Sequence, residues 1–146
     1  IAGLNTLFSL RATHLLTHEN QANPAAEVEI LKGKITADRG SFAEWRANAS
    51  AKVFADQWSA SWSMRMIGEA DDENGGGPIG SSVDNIFYHD LHFTYDVSES
   101  AKLSLGVDNV FDEEAPFITS WNDANTDVFT YDLLGQRWYL QASYEF

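Results

Sequence analysis

The stretch that decides the fold is QRWYLQASYEF, the last eleven residues of the chain, from Gln136 to Phe146. Apolar and polar side chains alternate along it without interruption. Trp138, Leu140, Ala142, Tyr144 and Phe146 fall on one face, and Arg137, Tyr139, Gln141, Ser143 and Glu145 fall on the other. A period of two is that of a β-strand. Strands of soluble proteins usually have about five or six residues, whereas a tilted strand that crosses a bilayer needs about nine to eleven, so the length favours a membrane strand.

Five segments upstream repeat this alternation. Their apolar positions are Ala2, Leu4, Thr6, Phe8, Leu10 and Ala12; Trp45, Ala47, Ala49, Ala51 and Val53; Trp58, Ala60, Trp62, Met64 and Met66; Phe87, His89, Leu91, Phe93, Tyr95 and Val97; and Ala101, Leu103, Leu105 and Val107. The sequence therefore predicts an all-β fold with an antiparallel meander of six long transmembrane strands.

The two faces of these six segments differ in charge. The polar face holds eleven charged side chains at 28 positions, and the apolar face holds none at 31. A Lys or Arg at the lipid midplane costs about 2–4 kcal/mol, so a lipid-facing surface must be free of charge. The core of a soluble β-sandwich also excludes charge, and the count alone leaves both interpretations open. Aromatic side chains concentrate near both ends of the apolar face, as they do at the two interfaces of a bilayer.

The connections between the segments are uneven in length. Residues 55–57 and 98–100 are tight turns, whereas residues 13–41, 68–85 and 112–134 are long, acidic and rich in Gly, Asn, Asp and Pro. Bacterial outer-membrane barrels have short periplasmic turns and long outer loops. We therefore expect a bacterial outer-membrane location, with the carboxyl terminus and both turns periplasmic.

Composition further limits the class of protein and the kinds of site that this chain can form. The chain has 146 residues, 44% of them hydrophobic, a formal net charge of −13 and no cysteine. This length suits one domain, no apolar run approaches the roughly 18 residues of a membrane helix, and a thiolate metal site is excluded. The three long loops carry a net charge of −12, which disfavours nucleic acid as a partner. We interpret them as solvated loops that divalent ions bridge to lipopolysaccharide; the alternative is steering of a cationic ligand.

Six strands are too few for a closed bacterial barrel, the smallest of which has about eight. Two unpaired edges in hydrocarbon would leave backbone groups without hydrogen bonds, at several kcal/mol each. We therefore expect residues 1–146 to be the carboxyl-terminal portion of a larger barrel, with further strands and a signal peptide encoded before Ile1.

Two segments resemble a known family. Residues 106–116, GVDNVFDEEAP, resemble the penultimate-strand motif of TonB-dependent receptors, in which a strand ends in Asn-Leu/Val-Phe-Asp before a Pro or Tyr; Asn109, Phe111 and Asp112 match best. Residues 131–146 resemble the closing strand of that family, with Gly135 and Arg137 before an alternating run to a terminal Phe. The resemblance covers residues 86–146 well and the rest of the chain loosely.

The resemblance implies the last six strands of a 22-stranded outer-membrane β-barrel that an amino-terminal plug fills. It implies a receptor and transporter, not an enzyme, that takes up a scarce nutrient such as a ferric siderophore, a cobalamin, a metal chelate or a glycan. Its implied partners are outer-membrane lipid, the remainder of the barrel and plug, and TonB through the missing amino-terminal part. Trp138, Leu140, Tyr144 and Phe146 fit the signal that the outer-membrane assembly machinery recognises, although Ala142 is smaller than usual.

The last outer loop holds the candidate ligand contacts. Trp121 and Asn122 place an aromatic ring beside an amide, which suits a sugar or a chelate, and the carboxylates of Asp123 and Asp127 follow. The alternative for Trp121 is packing of the loop against itself. The family's ligand contacts vary between members, so the resemblance adds no binding residue.

Neither a metal site nor a cofactor site is predicted. Asp123, Asn125 and Asp127 share the one-three-five spacing of a calcium loop, but the glycine at its sixth position and the glutamate at its twelfth are missing. Ordinary turn chemistry is favoured there, and residues 71–77 are interpreted as a flexible acidic tip. His89 and His92 point to opposite faces of a strand and cannot converge on a metal.

Two other classes stay open. An outer-membrane porin or barrel enzyme shares the strand pattern, although no catalytic cluster is recognisable in this chain. A soluble β-sandwich that binds carbohydrate through an exposed Trp121 would bury the apolar face under a second layer.

Overall fold

The computed structural model describes residues 3–37 and 39–146, which form an all-β fold without a helix. In chain order the strands are β1 (Asn5–His14), β2 (Glu19–Asn20), β3 (Glu29–Ile30), β4 (Lys34–Thr36), β5 (Gly40–Ser41), β6 (Trp45–Phe54), β7 (Trp58–Ile67), β8 (Ala70–Asp72), β9 (Ser82–Val83), β10 (Ile86–Ser98), β11 (Ala101–Asp108) and β12 (Arg137–Tyr144). The predicted first segment begins at Ala2, which lies outside the described residues.

The six long strands form one antiparallel sheet in the order β1-β6-β7-β10-β11-β12. Each long strand pairs with the next long strand along the chain, so the predicted six-stranded antiparallel meander is confirmed. The sheet is open, because β1 and β12 each pair on one side only within the described part of the chain. The last predicted segment is slightly too long, since β12 ends at Tyr144.

Strand register places the predicted apolar positions on one continuous surface, here called the apolar face. One row crosses all six strands through the paired residues Phe8, Ala51, Trp62, Leu91, Val107 and Trp138. Directly opposite residues of paired strands share a face of the sheet. Most of the large side chains on this face are open to the surroundings: Phe8 is 75% exposed, Phe93 44%, Leu105 42% and Trp138 66%, whereas Val107 is buried.

The opposite surface, here called the polar face, is built the same way. Arg11, Asn48, Arg65 and Tyr88 are paired in one row, and Ser9, Ser50, Ser63 and Asp90 in the next. The alternating sequence predicts a sheet with one apolar and one polar face, and the long strands that form it have eight to thirteen residues.

Two tight turns join the strands at one end of the sheet. The turn between β6 and β7 is closed by a hydrogen bond from Ala55 N to the carbonyl of Trp58, at 2.9 Å. Glu99 and Ser100 connect β10 to β11. Both predicted short connections are therefore confirmed.

The three long connections pack together at the other end into a structure here called the loop cap, described over residues 15–37, 39–44, 68–85 and 109–136. Its framework is a four-stranded sheet in the order β5-β4-β8-β9, in which β4 and β8 are parallel. The hydrophobic core lies where the cap meets the ends of β7 and β10, and comprises Ile35, Ala43, Ile67, Ala70, Val83, Ile86, Tyr88, Ile118, Trp121 and Tyr131. The cap, not the long sheet, therefore holds the buried core. Among the described residues, no helix is long and apolar enough to span a membrane.

Candidate functional site in the loop cap and polar face

Trp121 lies inside the loop cap. Its side chain is 4% exposed, and its ring meets Phe129 edge-on with the centroids 5.5 Å apart. Burial of this kind is the self-packing that the sequence left as an alternative to ligand contact. In this conformation Trp121 is a packing residue, whereas the neighbouring Asn122 and Asp123 are exposed and their ligand role stays a prediction.

Asp123, Asn125 and Asp127 differ in their surroundings. Asp123 and Asn125 are exposed, whereas Asp127 is buried. Asp127 Oδ1 accepts a hydrogen bond from Phe129 N at 2.9 Å, and the carbonyl of Asp123 accepts one from Thr126 N at 3.2 Å. These are the turn contacts that the sequence favoured over a calcium loop. The second oxygen of Asp127 has no hydrogen-bond partner among the described residues.

The acidic run at residues 71–74 is more ordered than the expected flexible tip. Asp72 ends strand β8 and is buried. Its carboxylate accepts hydrogen bonds from Ser120 N at 3.0 Å and Ser120 Oγ at 2.7 Å, and from Asn74 N at 3.1 Å. The prediction was wrong for Asp72 because a contact 48 residues along the chain ties this segment to the third long connection.

Asn109, singled out by the family motif, shapes the end of β11. Its φ angle is 52°, in the left-handed region that Asn tolerates better than most residues. The side-chain amide donates to the carbonyl of Glu113 at 2.9 Å, and its oxygen accepts from Glu113 N at 2.9 Å. Asn109 therefore fixes a turn, and no ligand is required to explain its presence.

Asp112 and Phe111 have separate roles in the same motif. Asp112 has a φ of 55°, and its Oδ1 accepts a hydrogen bond from Gln136 N at 2.7 Å. This contact ties the end of β11 to the start of β12. Phe111 is exposed and meets the ring of His89 edge-on at 5.1 Å. The motif residues thus set the geometry of the last hairpin.

The predicted assembly signal lies on β12 and just beyond it. Trp138, Leu140 and Tyr144 are exposed on the apolar face, and Phe146 meets Tyr144 edge-on with the ring centroids 5.0 Å apart. β12 is an edge strand of the sheet. Accessibility of this kind is what recognition needs, and the recognition itself stays a prediction.

Ion pairs on the polar face connect neighbouring strands of the sheet. Lys102 and Asp96 pair at 3.2 Å, as do Arg137 and Asp108. These pairs are partly exposed, so each contributes at most about 1 kcal/mol. They match the near balance of charge that the sequence shows on this face.

Arg65 joins the polar face to the loop cap. Its guanidinium pairs with the carboxylate of Asp132 and lies 4.5 Å from the ring centre of Tyr88. Tyr88 OH in turn accepts a hydrogen bond from Asp132 N at 3.2 Å. Sequence reasoning missed this link, because 67 residues separate Arg65 from Asp132 and no local pattern relates them.

A polar cavity of about 450 Å³ opens on the polar face beside Arg65. Arg11, Asn48 and Arg65 line it together with Ser9, Ser50, Ser63 and Asp90. This cavity lies near the cap ends of β1, β6 and β7. Two guanidinium groups, of Arg11 and Arg65, line this open space.

No metal centre is formed by the described residues, since no three His, Asp or Glu side chains come together to hold one. His89 and His92 lie on opposite faces, in register with Met64 and Ser61 respectively. Trp62 Nε1 donates to His89 Nδ1 at 3.1 Å, so these two polar atoms on the apolar face satisfy each other.

Tyr131 is the one cap residue whose titration is clearly shifted within the described ranges. Burial raises the pKa of its hydroxyl above the ordinary 10.0, and the nearby Asp127 carboxylate acts in the same direction. The Ser41 hydroxyl lowers the pKa in part, although the two hydroxyls do not reach hydrogen-bond geometry. The cap therefore holds a neutral phenol in its core.

Comparison of the chain with protein-family models, with curated proteins and with solved structures finds no match.

Proposed function

We propose that this chain forms the carboxyl-terminal strands of an outer-membrane β-barrel, and that the barrel is a TonB-dependent receptor for the uptake of a scarce nutrient. In this proposal the apolar face contacts lipid, the polar face lines the interior, and the loop cap faces outward. A 22-stranded barrel would use the six long strands as its last six.

The observation that carries the proposal is the uncharged, exposed and continuous apolar face. Lys or Arg at the centre of a lipid-facing surface costs about 2–4 kcal/mol, and this surface carries none across six strands. A soluble protein rarely leaves contiguous apolar surface of this extent open to water. Contact with acyl chains accounts for both the exposure and the absence of charge.

The open edges of the sheet support a larger barrel. β1 and β12 present unpaired backbone groups, which in hydrocarbon would cost several kcal/mol each. Pairing with further strands satisfies them, and closure of a barrel removes both edges at once. The turn and loop lengths agree with an orientation in which Glu99 and Ser100 are periplasmic.

The receptor assignment is supported by the last hairpin. The resemblance at residues 106–116 and 131–146 involves Asn109, Asp112 and Gly135, which are brought together at one place in the structure. A Cβ on Gly135 would overlap the Asp112 carboxylate, so this position favours glycine. The two motif segments therefore act as one structural unit.

Membrane contact is tested with the full-length protein reconstituted in vesicles that contain brominated lipids. Bromine quenches tryptophan in contact with acyl chains, so we expect the quenched amplitude to fall in Trp62→Phe, which removes a ring from the apolar face. The matched control is Trp121→Phe, whose ring is buried in the cap; it should leave the quenched amplitude unchanged. Equal quenching in both variants, or a full-length protein that stays in the aqueous phase without detergent, would overturn the membrane assignment.

The receptor assignment needs a separate test. The coding region upstream of Ile1 should specify a globular plug and a TonB box, and uptake by cells should stop when TonB is deleted. Uptake that continues without TonB would favour a passive porin.

A further inference from the structure

Three polar side chains form a row across β1, β6 and β7 on the polar face. Arg11 is in register with Asn48, and Asn48 is in register with Arg65. Neighbouring strands lie about 4.8 Å apart, so the Cα atoms of the two arginines are about 10 Å apart with an amide between them. Their long side chains can converge on one group placed above Asn48.

The row lines a cavity that could hold a small anionic group. The cavity beside it has a volume of about 450 Å³, and Ser9, Ser50 and Ser63 add hydroxyls to its lining. Among the described residues Asp90 is the only acid that lines it, and both of its oxygens accept hydrogen bonds: Oδ2 from Ser63 Oγ at 3.3 Å and Oδ1 from Asn109 N at 3.0 Å. The Asp90 carboxylate is therefore held in position by hydrogen bonds from two neutral donors of the sheet.

Arg11 is distinguished by its lack of a partner. Within the described ranges, Arg11 makes no ion pair and no side-chain hydrogen bond, and the same holds for the Asn48 amide, whereas Lys102 and Arg137 on the same face are each paired with an aspartate. Arg65 uses one side of its guanidinium on Asp132. Two arginines in one row repel each other unless an anion lies between them.

We propose that this row binds a carboxylate or phosphate group of a soluble ligand. The planar guanidinium of Arg11 donates in a fork that matches either group, the Arg65 guanidinium and the Asn48 amide supply further donors, and the serine hydroxyls bind the remaining oxygens. Because Arg65 is bound to Asp132 of the loop cap, a carboxylate or phosphate bound to the row would lie next to the cap. The identification of this ligand as the transported substrate, for example an anionic metal chelate, rests on the proposed function.

The acidic loop cap restricts the ligand. A rim with many carboxylates disfavours the approach of a strongly anionic molecule. The site therefore suits a ligand that carries one or a few carboxylate or phosphate groups whose charge is partly neutralised, as it is by a chelated metal.

The test measures binding of citrate as its magnesium complex, in which the metal partly neutralises the charge, and of inorganic phosphate to the purified full-length protein by calorimetry, at constant ionic strength with chloride as the balancing anion. Arg11→Gln should weaken binding about tenfold or more, because a charge-assisted hydrogen bond is lost. Arg11 makes no ion pair or side-chain hydrogen bond with the residues that the structure describes, so we expect this variant to fold normally.

Lys52→Gln is the matched control. Lys52 lies on the same face, in register with Leu7 and Ser61, and it does not line the cavity. The variant removes the same charge and should change the affinity less than twofold. Equal weakening by both variants would show general electrostatic attraction and overturn the site, as would absence of binding by the unaltered protein.

The outcome is separable from that of the proposed function. A protein that stays in water yet binds citrate through Arg11 would refute the membrane assignment alone. A protein that inserts in vesicles yet binds neither anion would refute this site alone.

Discussion

Gly106 on β11 and Tyr139 on β12 are opposite each other on the polar face. The Tyr139 ring lies across Gly106, and its hydroxyl is 2.5 Å from Nδ1 and 2.9 Å from Nε2 of His92 on β10. Gly106 is buried although it has no side chain, because the ring covers it. An aromatic ring that covers a glycine on a neighbouring strand fixes the register of the pair. The three residues thus connect three consecutive strands.

Gly106→Ala should destabilise the sheet by about 1–3 kcal/mol, because a Cβ at this position overlaps the Tyr139 ring and forces it from its place. The measurement is urea unfolding of the full-length protein in lipid vesicles. Tyr139→Leu combined with Gly106→Ala should cost less than the sum of the single changes, since the smaller side chain removes the overlap. Additive costs would show that the contact does not determine the register.

At the scale of elements, alternation produces strands wherever it continues for eight residues or more. Apolar and polar residues alternate over residues 45–53 of β6 and 58–66 of β7, and the structure pairs the two strands through the turn at residues 55–57. The strands of the loop cap do not arise from alternation. Its strands have two or three residues, too few for a periodic signal, and they are held by contacts among three separate connections.

The cap should lose stability at alkaline pH through Tyr131. Its folded pKa is raised above 10.0 by burial, so its contribution is fully present below that pH. As the pH rises above it, the unfolded tyrosine ionises while the folded one stays protonated, and stability falls. Hydrogen exchange of the cap amides across the alkaline range measures the effect. Tyr131→Phe should reduce this alkaline loss, and an unchanged pH profile in the variant would contradict the assignment.

At the scale of the whole molecule, a single sheet with one uncharged face and one charged face has no internal place for its apolar side chains. Ala49 and Ser50 are adjacent residues near the middle of β6, and they lie on the apolar and polar faces respectively. This pair offers a direct comparison of the two environments.

Ala49→Lys should destabilise the membrane-inserted protein by about 2–4 kcal/mol, because it puts a charge near the middle of the lipid-facing surface. Ser50→Lys, one position along the strand, should cost less than 1 kcal/mol in a wet interior. Reversible unfolding from lipid vesicles measures both values. Similar costs for the two lysines would contradict the assignment of the faces.

The sequence by itself determined the six long strands, their two faces and the two tight turns. These features follow from a local period of two and from turn residues, and each is readable within about ten residues. The tight turns determined two of the five pairings, β6 with β7 and β10 with β11, whereas the other three pairings of the meander span the long connections.

Only the tertiary structure showed how the long connections pack and which of their residues are buried. Trp121 and Asp72 are buried, and Arg65 is bound to Asp132, because segments tens of residues apart meet over a shared core. The row of Arg11, Asn48 and Arg65 likewise exists only through strand register, which brings together positions from three strands. No local pattern encodes such contacts, since they are set by which segments pack together and not by the order of residues within one.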